Sequence, residues 1–421
     1  MLEYGLRENL MTLRNKIGTL PRADGVSDRL VAVALGGRFT DELLSGLPNV
    51  LMPTIRSVFG LSYTQVSLLG LTLNYVAAFI EPIGGLLIDI WRRRWLMAFG
   101  AAGIGIATAV MGIAPSYAFI LLGFAIYGLA SGPLAHTSDV VLVDAYPKAP
   151  DRIFTRATLL DTFGALLSSL LVSLTFILQL EWRWLMISLG ISSLIYAFII
   201  FTTRFPPRQA AGDRGKEHAG RAAWRNLRKV LRSKRAIIWL LFLFVFGIAE
   251  APYTFITIWL REEVGMSQAL IGVYIALEMG VSMGSLFFLD RWLARSSVRR
   301  ILAIACSGVL TLFPFWLFIP GVAARFVLAV PLNFLFAVFW PIGKAQSLRS
   351  VPGLGGTTTA VHSLMMLVPI PLLFGLLAER ISLTTAMFWV TMLAVGAMIL
   401  VVWLIPAGKQ PEPTAGSQKV A

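Results

Sequence analysis

"RQAAGDRGKEHAGRAAWRNLRKVLRSKRA", residues 208–236, is the one long polar interval in a chain otherwise dominated by apolar runs. On each side of it lie six runs long enough to cross a bilayer core about 30 Å thick, which takes about 20 apolar residues as helix. Before the interval they fall at 29–52, 64–90, 96–115, 118–143, 153–178 and 182–203. After it they fall at 236–260, 268–289, 300–320, 323–346, 357–378 and 383–405. Within the interval, Trp224, Leu227 and Leu231 share one helical face among Arg and Lys, which predicts an interfacial helix beneath the bundle.

The composition agrees with this division. Of 421 residues, 57% are hydrophobic and 14% charged, too few polar groups to cover a soluble protein of this length. The net charge of +14 would suit a nucleic-acid partner if it were spread evenly, and it is not. With the N-terminus inside, thirty of the 36 Lys and Arg fall in inward-facing segments, eleven of them in 204–235. Arg56, Arg183, Arg261, Arg325 and Arg380 lie near the outer ends, and Arg38 lies within a span. This positive-inside pattern predicts a multi-pass protein of the cytoplasmic membrane with both termini cytoplasmic. Its basic segments then face anionic lipid headgroups, with no role for nucleic acid.

Cys306 is the only cysteine, so neither an intramolecular disulfide nor a thiol metal site is available. The first 28 residues lack the compact apolar core and small-residue cleavage site of a signal peptide. Leu2, Leu6, Leu10, Leu13, Ile17 and Leu20 instead fall at helical spacing, as a short surface helix or an unstructured tail.

The two halves echo each other. "PNVLMPTIRSVFGLSYTQ", residues 48–65, resembles "PYTFITIWLREEVGMSQA", residues 252–269, with Pro48 opposite Pro252. "GPLAHTSD" in the fourth span aligns with "WPIGKAQS" in the tenth, placing His136 opposite Lys344. "ATLLDTFGALLSSLL" in the fifth aligns with "TTAVHSLMMLVPIPLL" in the eleventh, placing Asp161 opposite His362. The expected fold is therefore an all-α membrane protein of twelve transmembrane helices in two pseudo-symmetric six-helix bundles. The divisions are an N-terminal segment 1–28, a bundle 29–204, a basic linker 205–235, a second bundle 236–405 and a tail 406–421. Paired halves with a site between them are a secondary-transporter design.

"GGLLIDIWRRR", residues 84–94, resembles the loop between the second and third helices of the major facilitator superfamily. Gly85, Asp89, Arg93 and Arg94 match that pattern, while Ile90 and Arg92 replace the family's Arg and Gly; the second half keeps Asp290 and Arg291. The resemblance implies that Asp89 helps close a latch between helices and that these residues form a conformational gate. "GGRFTDELLSGLPNVLMPTIRSVFGLSYTQ" and "EPIGGLLID" are similar, more narrowly, to the fosmidomycin-resistance group of that superfamily. Glu81-Pro82 stands where Gln-Pro is usual, and Thr137 replaces a Pro after His136.

Charges inside the spans mark the expected site, because each costs about 2.5–3.5 kcal/mol at the bilayer centre unless it is paired or lines a cavity. Arg38, Glu42, Ser45 and Asn49 recur at helical steps, with Asp41 beside them. Arg38 is spaced to pair within its own helix with Glu42 or Asp41, and one cation cannot neutralise both carboxylates. The stretch therefore reads as a protonatable site, or as a static brace. Glu81, His136, its neighbour Asp139, and Asp161 complete the proton-coupling candidates. Substrate-binding candidates are Arg38, Asn49, Asn74, Glu250, Glu278, Lys344 and His362; the position of Glu250 before Ala-Pro predicts a local helix break. Arg38 and Lys344 favour an anionic or zwitterionic substrate, and the apolar, aromatic-rich spans suit an amphiphile.

No cofactor or metal is expected, and the expected working unit is a monomer. "PGLGGTTT", residues 352–359, lacks the Lys of a nucleotide loop, and "GAAGIGIAT", residues 100–108, lies in a span where small residues serve helix packing. An intramembrane enzyme would need a nucleophile or metal-ligand spacing that does not stand out. The leading reading is proton-coupled export of a small amphiphilic compound by alternating access, as in an antiporter. Proton-coupled uptake of an organic anion or metabolite is the alternative.

Overall fold

The computed structural model describes residues 23, 26–90, 92–146, 150–205, 219–351 and 354–405. Side chains at 80–90, 150–152, 154–155, 219–223, 290, 294 and 355–356 are outside that description. Among the described residues the chain is helical, with no strand. Six long helices come first: α1 Asp28–Phe59, α2 Tyr63–Ile90, α3 Arg93–Gly112, α4 Tyr117–Ala145, α5 Pro150–Ile177 and α6 Trp182–Thr202. The linker contributes α7, Ala219–Arg232. The second set is α8 Lys234–Glu250 with α9 Ile256–Glu262, α10 Gln268–Arg295, α11 Val298–Phe318, α12 Val322–Phe336 with α13 Phe339–Ser350, α14 Gly355–Met365 with α15 Ile370–Ile381, and α16 Leu383–Leu404.

Ten helical stretches, from α3 onward and counting the broken pairs as one, are long and apolar enough to cross a membrane. With α1 and α2 the arrangement fits twelve crossings. The chain is a multi-pass membrane protein, as its sequence predicts.

Caps and prolines explain where the helices stop and bend. Ser27, Ser233, Ser267 and Ser297 each accept a backbone N–H from three residues on, closing the starts of α1, α8, α10 and α11. Gly60 ends α1 with φ of 62°, a left-handed turn that lets α2 start at Tyr63. The break after Glu250 is a 3₁₀ turn, Ala251–Phe255, containing Pro252. Pro341 removes one N–H and crowds the carbonyl four residues back, at Ala337, where α12 gives way to α13. Pro369 and Pro371 act likewise at the junction of α14 and α15.

Within the first half, α3 packs on α4 and α6, α1 on α5, and α2 on α4. Small residues permit the closest approaches. At Gly105 and Gly190 a Cβ would lie 2.7 Å from the other residue's carbonyl oxygen, so α3 and α6 touch backbone to backbone. Within the second half, α16 packs on α8 and α11, and α13 on α8. The linker helix α7 buries Val230 against Leu240 of α8 and Val361 of α14, with Leu227 packed beside them. Trp224 and Leu231 are exposed. Val230 and Leu227 thus hold α7 to the bundle, while Trp224 and Leu231 face away from it. The proposed N-terminal surface helix at residues 2–20 lies outside the described residues.

The halves meet at the end that carries the α1–α2, α9–α10 and α15–α16 turns. There α5 packs on α10 and α2 on α15, and one apolar cluster runs through both halves, from Leu47 and Ile55 to Trp259 and Phe374. Hydrogen bonds stitch the same face. Arg56 pairs with Glu262, which also accepts from the Tyr63 hydroxyl at 3.3 Å, and the Arg56 guanidinium lies 4.4 Å from the Tyr63 ring. The two stretches that echo each other in sequence thus face each other in space. Glu379 accepts from the Thr64 N–H at 2.8 Å, and Gln268 donates to the Val50 carbonyl at 2.6 Å.

A further bond uses a carbonyl that proline has released. Pro53 cannot donate to Asn49, four residues back in α1, and the Thr257 hydroxyl donates to the Asn49 carbonyl at 3.1 Å. The Tyr75 hydroxyl donates at 2.5 Å to the Leu367 carbonyl, which is free because it lies in the non-helical junction before α15. Toward the opposite end, no hydrogen bond or ion pair joins the halves among the described residues.

Candidate functional site

Two polar layers lie at different depths. Counting 1.5 Å per residue from the sealed end, Asp41, Arg38 and Asp139 lie about 27–33 Å down their helices. Tyr253, Glu278 and Asn333 lie only about 14–16 Å down theirs.

The deeper layer of the first half is built where α1, α4 and α5 meet. Gly164 of α5 permits it, since a Cβ there would lie 2.7 Å from the Phe39 carbonyl. That approach brings the Arg38 guanidinium to Asp161, 2.5 Å away on α5, and its Nε to 3.6 Å from Asp139 on α4. The expected pairing within α1 is therefore corrected. Arg38 reaches across to two other helices, because its long stem spans the gap and the α1 carboxylates point elsewhere. Asp41 accepts from Ser131 at 3.0 Å and from Tyr127 at 3.1 Å, both on α4. Glu42 is contacted by the Ser45 hydroxyl at 3.5 Å. His136 is exposed on α4 within electrostatic reach of Asp139. Asp161 is buried, and its Oδ1 has no hydrogen-bond partner. One guanidinium thus stands among four carboxylates.

The equivalent layer of the second half is basic and aromatic. Trp340 is 45% exposed, with the Lys344 amine 5.8 Å from its ring and the His362 ring 5.5 Å away. His362 is buried and its Nε2 lacks a partner. The structure thus gathers two sequence candidates from different helices around a tryptophan that the sequence did not single out. Asn49, Asn74 and Glu250 present exposed side chains. The helix does break at Glu250.

The shallower layer belongs to the second half alone. Glu278 is 2% exposed and accepts from Asn333 at 2.9 Å and from the Tyr253 hydroxyl at 3.1 Å. The hydroxyl of Tyr274, on the same helix, accepts from the Trp316 indole at 2.9 Å. Beside them lies a cavity of about 60 Å³, lined by Glu278, Tyr253, Asn333, Trp316 and Thr391 among others. Of the five polar groups, sequence reading had picked only Glu278. The others carry no charge, so hydropathy does not flag them.

The gate residues are placed in part. Glu81, Gly85, Asp89 and Asp290 lie outside the described side chains. Arg93 pairs with Asp144 of α4 at 2.5 Å, Arg94 stacks 5.0 Å from Phe201 of α6, and Arg291 lies over Phe287 and Phe288 of its own helix. Arg183 donates to the Gly112 and Ala114 carbonyls at the end of α3, and Arg325 to Leu317 near the end of α11, while Arg261 donates to Met266 in the turn before α10. No cluster of potential metal ligands occurs among the described residues.

Comparison with known proteins places this architecture. The MFS-type efflux transporter pyiT of Pyricularia grisea is 29% identical over 117 residues, 27% of this chain and 19% of that protein. The MFS-type transporter YhcA of Bacillus subtilis (strain 168) is 26% identical over 192 residues, 44% of this chain and 35% of that one. The chain therefore matches at most about a third of the length of these curated relatives. A crystal structure of a bacterial homologue of the human lysosomal transporter Spinster, inward-facing and unoccupied, superposes with a TM-score of 0.72 at 16% identity, covering 90% of this chain and 96% of that one. The nucleoside transporter NupG superposes with a TM-score of 0.69 at 13% identity, covering 89% and 98%. Residues 34–370 match the family described as Major Facilitator Superfamily. With the helical architecture and the sequence in agreement, the chain belongs to the Major Facilitator Superfamily.

Proposed function

We propose that this protein exports a small amphiphilic compound across the cytoplasmic membrane in exchange for protons. The observation that carries the reading is the ratio of four carboxylates to one guanidinium around Arg38. Such a layer needs protons to approach neutrality, and Arg38, already engaged by Asp139 and Asp161, is not a free anion site. Substrate release or entry that disturbs the Arg38 pairs would change how readily the aspartates hold a proton. Asp161 and Asp41 are the leading proton carriers, with Glu42, His136 and Glu81 in support.

The aromatic and basic layer of Trp340, Lys344 and His362 supports a substrate with an apolar body and an anionic or zwitterionic head. Export is favoured by the efflux transporters among the relatives and by the likeness of residues 36–94 to the fosmidomycin-resistance group. Placing both termini and residues 205–235 in the cytoplasm makes the sealed end external, so the conformation is inward-open. The bundles 29–204 and 236–405 then rock about the site as a monomer, with Asp89 serving the gate.

The test is transport in proteoliposomes under an imposed pH gradient, with fluorescent amphiphiles of positive, zwitterionic and negative charge as probes. Wild type should concentrate an anionic or zwitterionic dye, and Asp161→Asn should reduce gradient-driven movement at least tenfold while equilibrium exchange persists. Wild-type-rate accumulation by Asp161→Asn, or indifference of every dye to the gradient, refutes the coupling. Topology is checked separately with Cys306→Ser and single cysteines at Ser57 and Ser233. Labelling from outside intact cells is expected at 57 and not at 233.

A further inference from the structure

We infer that Glu278 is a second proton-binding site, enclosed within the second bundle and distinct from the Arg38 layer. Its carboxyl is 2% exposed and has no ion-pair partner among the described residues. A carboxylate so placed is costly, and a proton is the simplest neutraliser. Yet its surroundings are not those of a permanently neutral acid. Asn333 offers an N–H to one oxygen and Tyr253 an O–H to the other. A donor on each oxygen suits the ionised form, and in the neutral acid the Tyr253 hydroxyl can turn to accept the acid's own O–H. The same cage thus accommodates the group with and without its proton.

The groups facing this site from each packed element are few. The 3₁₀ turn supplies Tyr253, α10 supplies Tyr274, α11 supplies Trp316, α12 supplies Asn333 and α16 supplies Thr391. The nearest other charges act through tyrosines: Glu250 on Tyr253 and Arg325 on Tyr274. The adjoining cavity of about 60 Å³ is large enough for a water molecule beside the carboxyl, which can hand the proton over.

Position gives the site its meaning. It lies about 15 Å below the sealed end, where the Arg38 layer lies about 30 Å below it. Tyr253 sits on the break between α8 and α9, and α9 carries both Thr257, bonded to the first half at Asn49, and Glu262, paired with Arg56. Separation of the sealed end pulls on α9 and so on the Tyr253 donor. Glu278 is then the group whose protonation responds to that face. This last step rests on the proton-coupled reading above; proton binding by Glu278 does not.

Binding is measured without any transported compound, by infrared titration of the full-length protein in lipid nanodiscs. Wild type should show a buried neutral carboxyl whose band converts to carboxylate with pH. Glu278→Gln should delete that band, Asp161→Asn should retain it, and Tyr253→Phe should displace its midpoint by about one pH unit, the effect of one bond to a charged group. If Glu278→Gln does not fold, Glu278→Asp and Tyr253→Phe read the same band. A band assigned to Glu278 that never converts across the pH range of the folded protein makes it a fixed structural acid and overturns the proposal. Absence of the neutral band at every pH does the same. A midpoint that moves when sodium replaces N-methylglucamine makes this a metal-cation site instead, which also overturns it. Failure of dye transport with an intact Glu278 titration would sink the coupling reading alone.

Discussion

The Arg38 and Glu278 clusters solve one problem in two ways. Both bury acids in a layer where an isolated charge is costly, but the first brings in a cation and the second surrounds the acid with neutral donors. A guanidinium fixes charge in place. It ties three helices together, and removing it leaves several carboxylates uncompensated. Neutral donors tie less and permit the proton to come and go with smaller changes in the protein. The charged cluster is also partly exposed, whereas the neutral one is enclosed, with Glu278 2% exposed.

Stability should separate the two most sharply. Arg38→Met strands Asp139 and Asp161 and is expected to destabilise the folded protein by about 3 kcal/mol, visible as a lowered unfolding temperature in detergent. Adding Asp139→Asn and Asp161→Asn to the same chain should restore most of that loss, because a whole ion cluster can be replaced where half of one cannot. Glu278→Gln keeps shape and the Asn333 bond, and needs only the Tyr253 hydroxyl to turn and accept from the new amide, so it should cost about 1 kcal/mol. Equal losses for Arg38→Met and Glu278→Gln would erase the distinction.

A smaller effect is expected at the seal that covers Glu278. Pro53→Ala returns a helical N–H to the Asn49 carbonyl, which Thr257 now holds from the other half, and Tyr75→Phe removes the donor to Leu367. Each should weaken closure by about 1 kcal/mol, a roughly fivefold shift in population. Distances between spin labels at residues 57 and 263 report it, and an unchanged distribution in both variants would remove these two bonds from the latch. The smallest effect belongs to Arg56→Gln. Arg56 and Glu262 are partly exposed, so their pair is worth about 0.5 kcal/mol and its loss about a twofold shift.

The sequence by itself determined that this is a helical membrane protein in two related halves, because hydropathy and positive charge are one-dimensional quantities in a bilayer. Runs of about 20 apolar residues have only one way to satisfy their backbone there. It also marked Arg38, Asp41, Asp161, Glu278, Lys344 and His362 as candidates, since a charge inside a span carries its cost visibly. Partners were another matter. Spacing on α1 suggested Glu42 or Asp41 for Arg38, and the fold chose Asp139 and Asp161, because helix packing at Gly164 sets which neighbours come within reach. Tyr253, Tyr274, Asn333 and Trp340 were silent for the opposite reason: uncharged side chains in a span carry no cost until packing points them at a charge. Only the tertiary structure showed that the Asn49 carbonyl, released by Pro53, is taken up by the other half of the molecule, since a carbonyl's partner across an interface has no fixed separation in sequence.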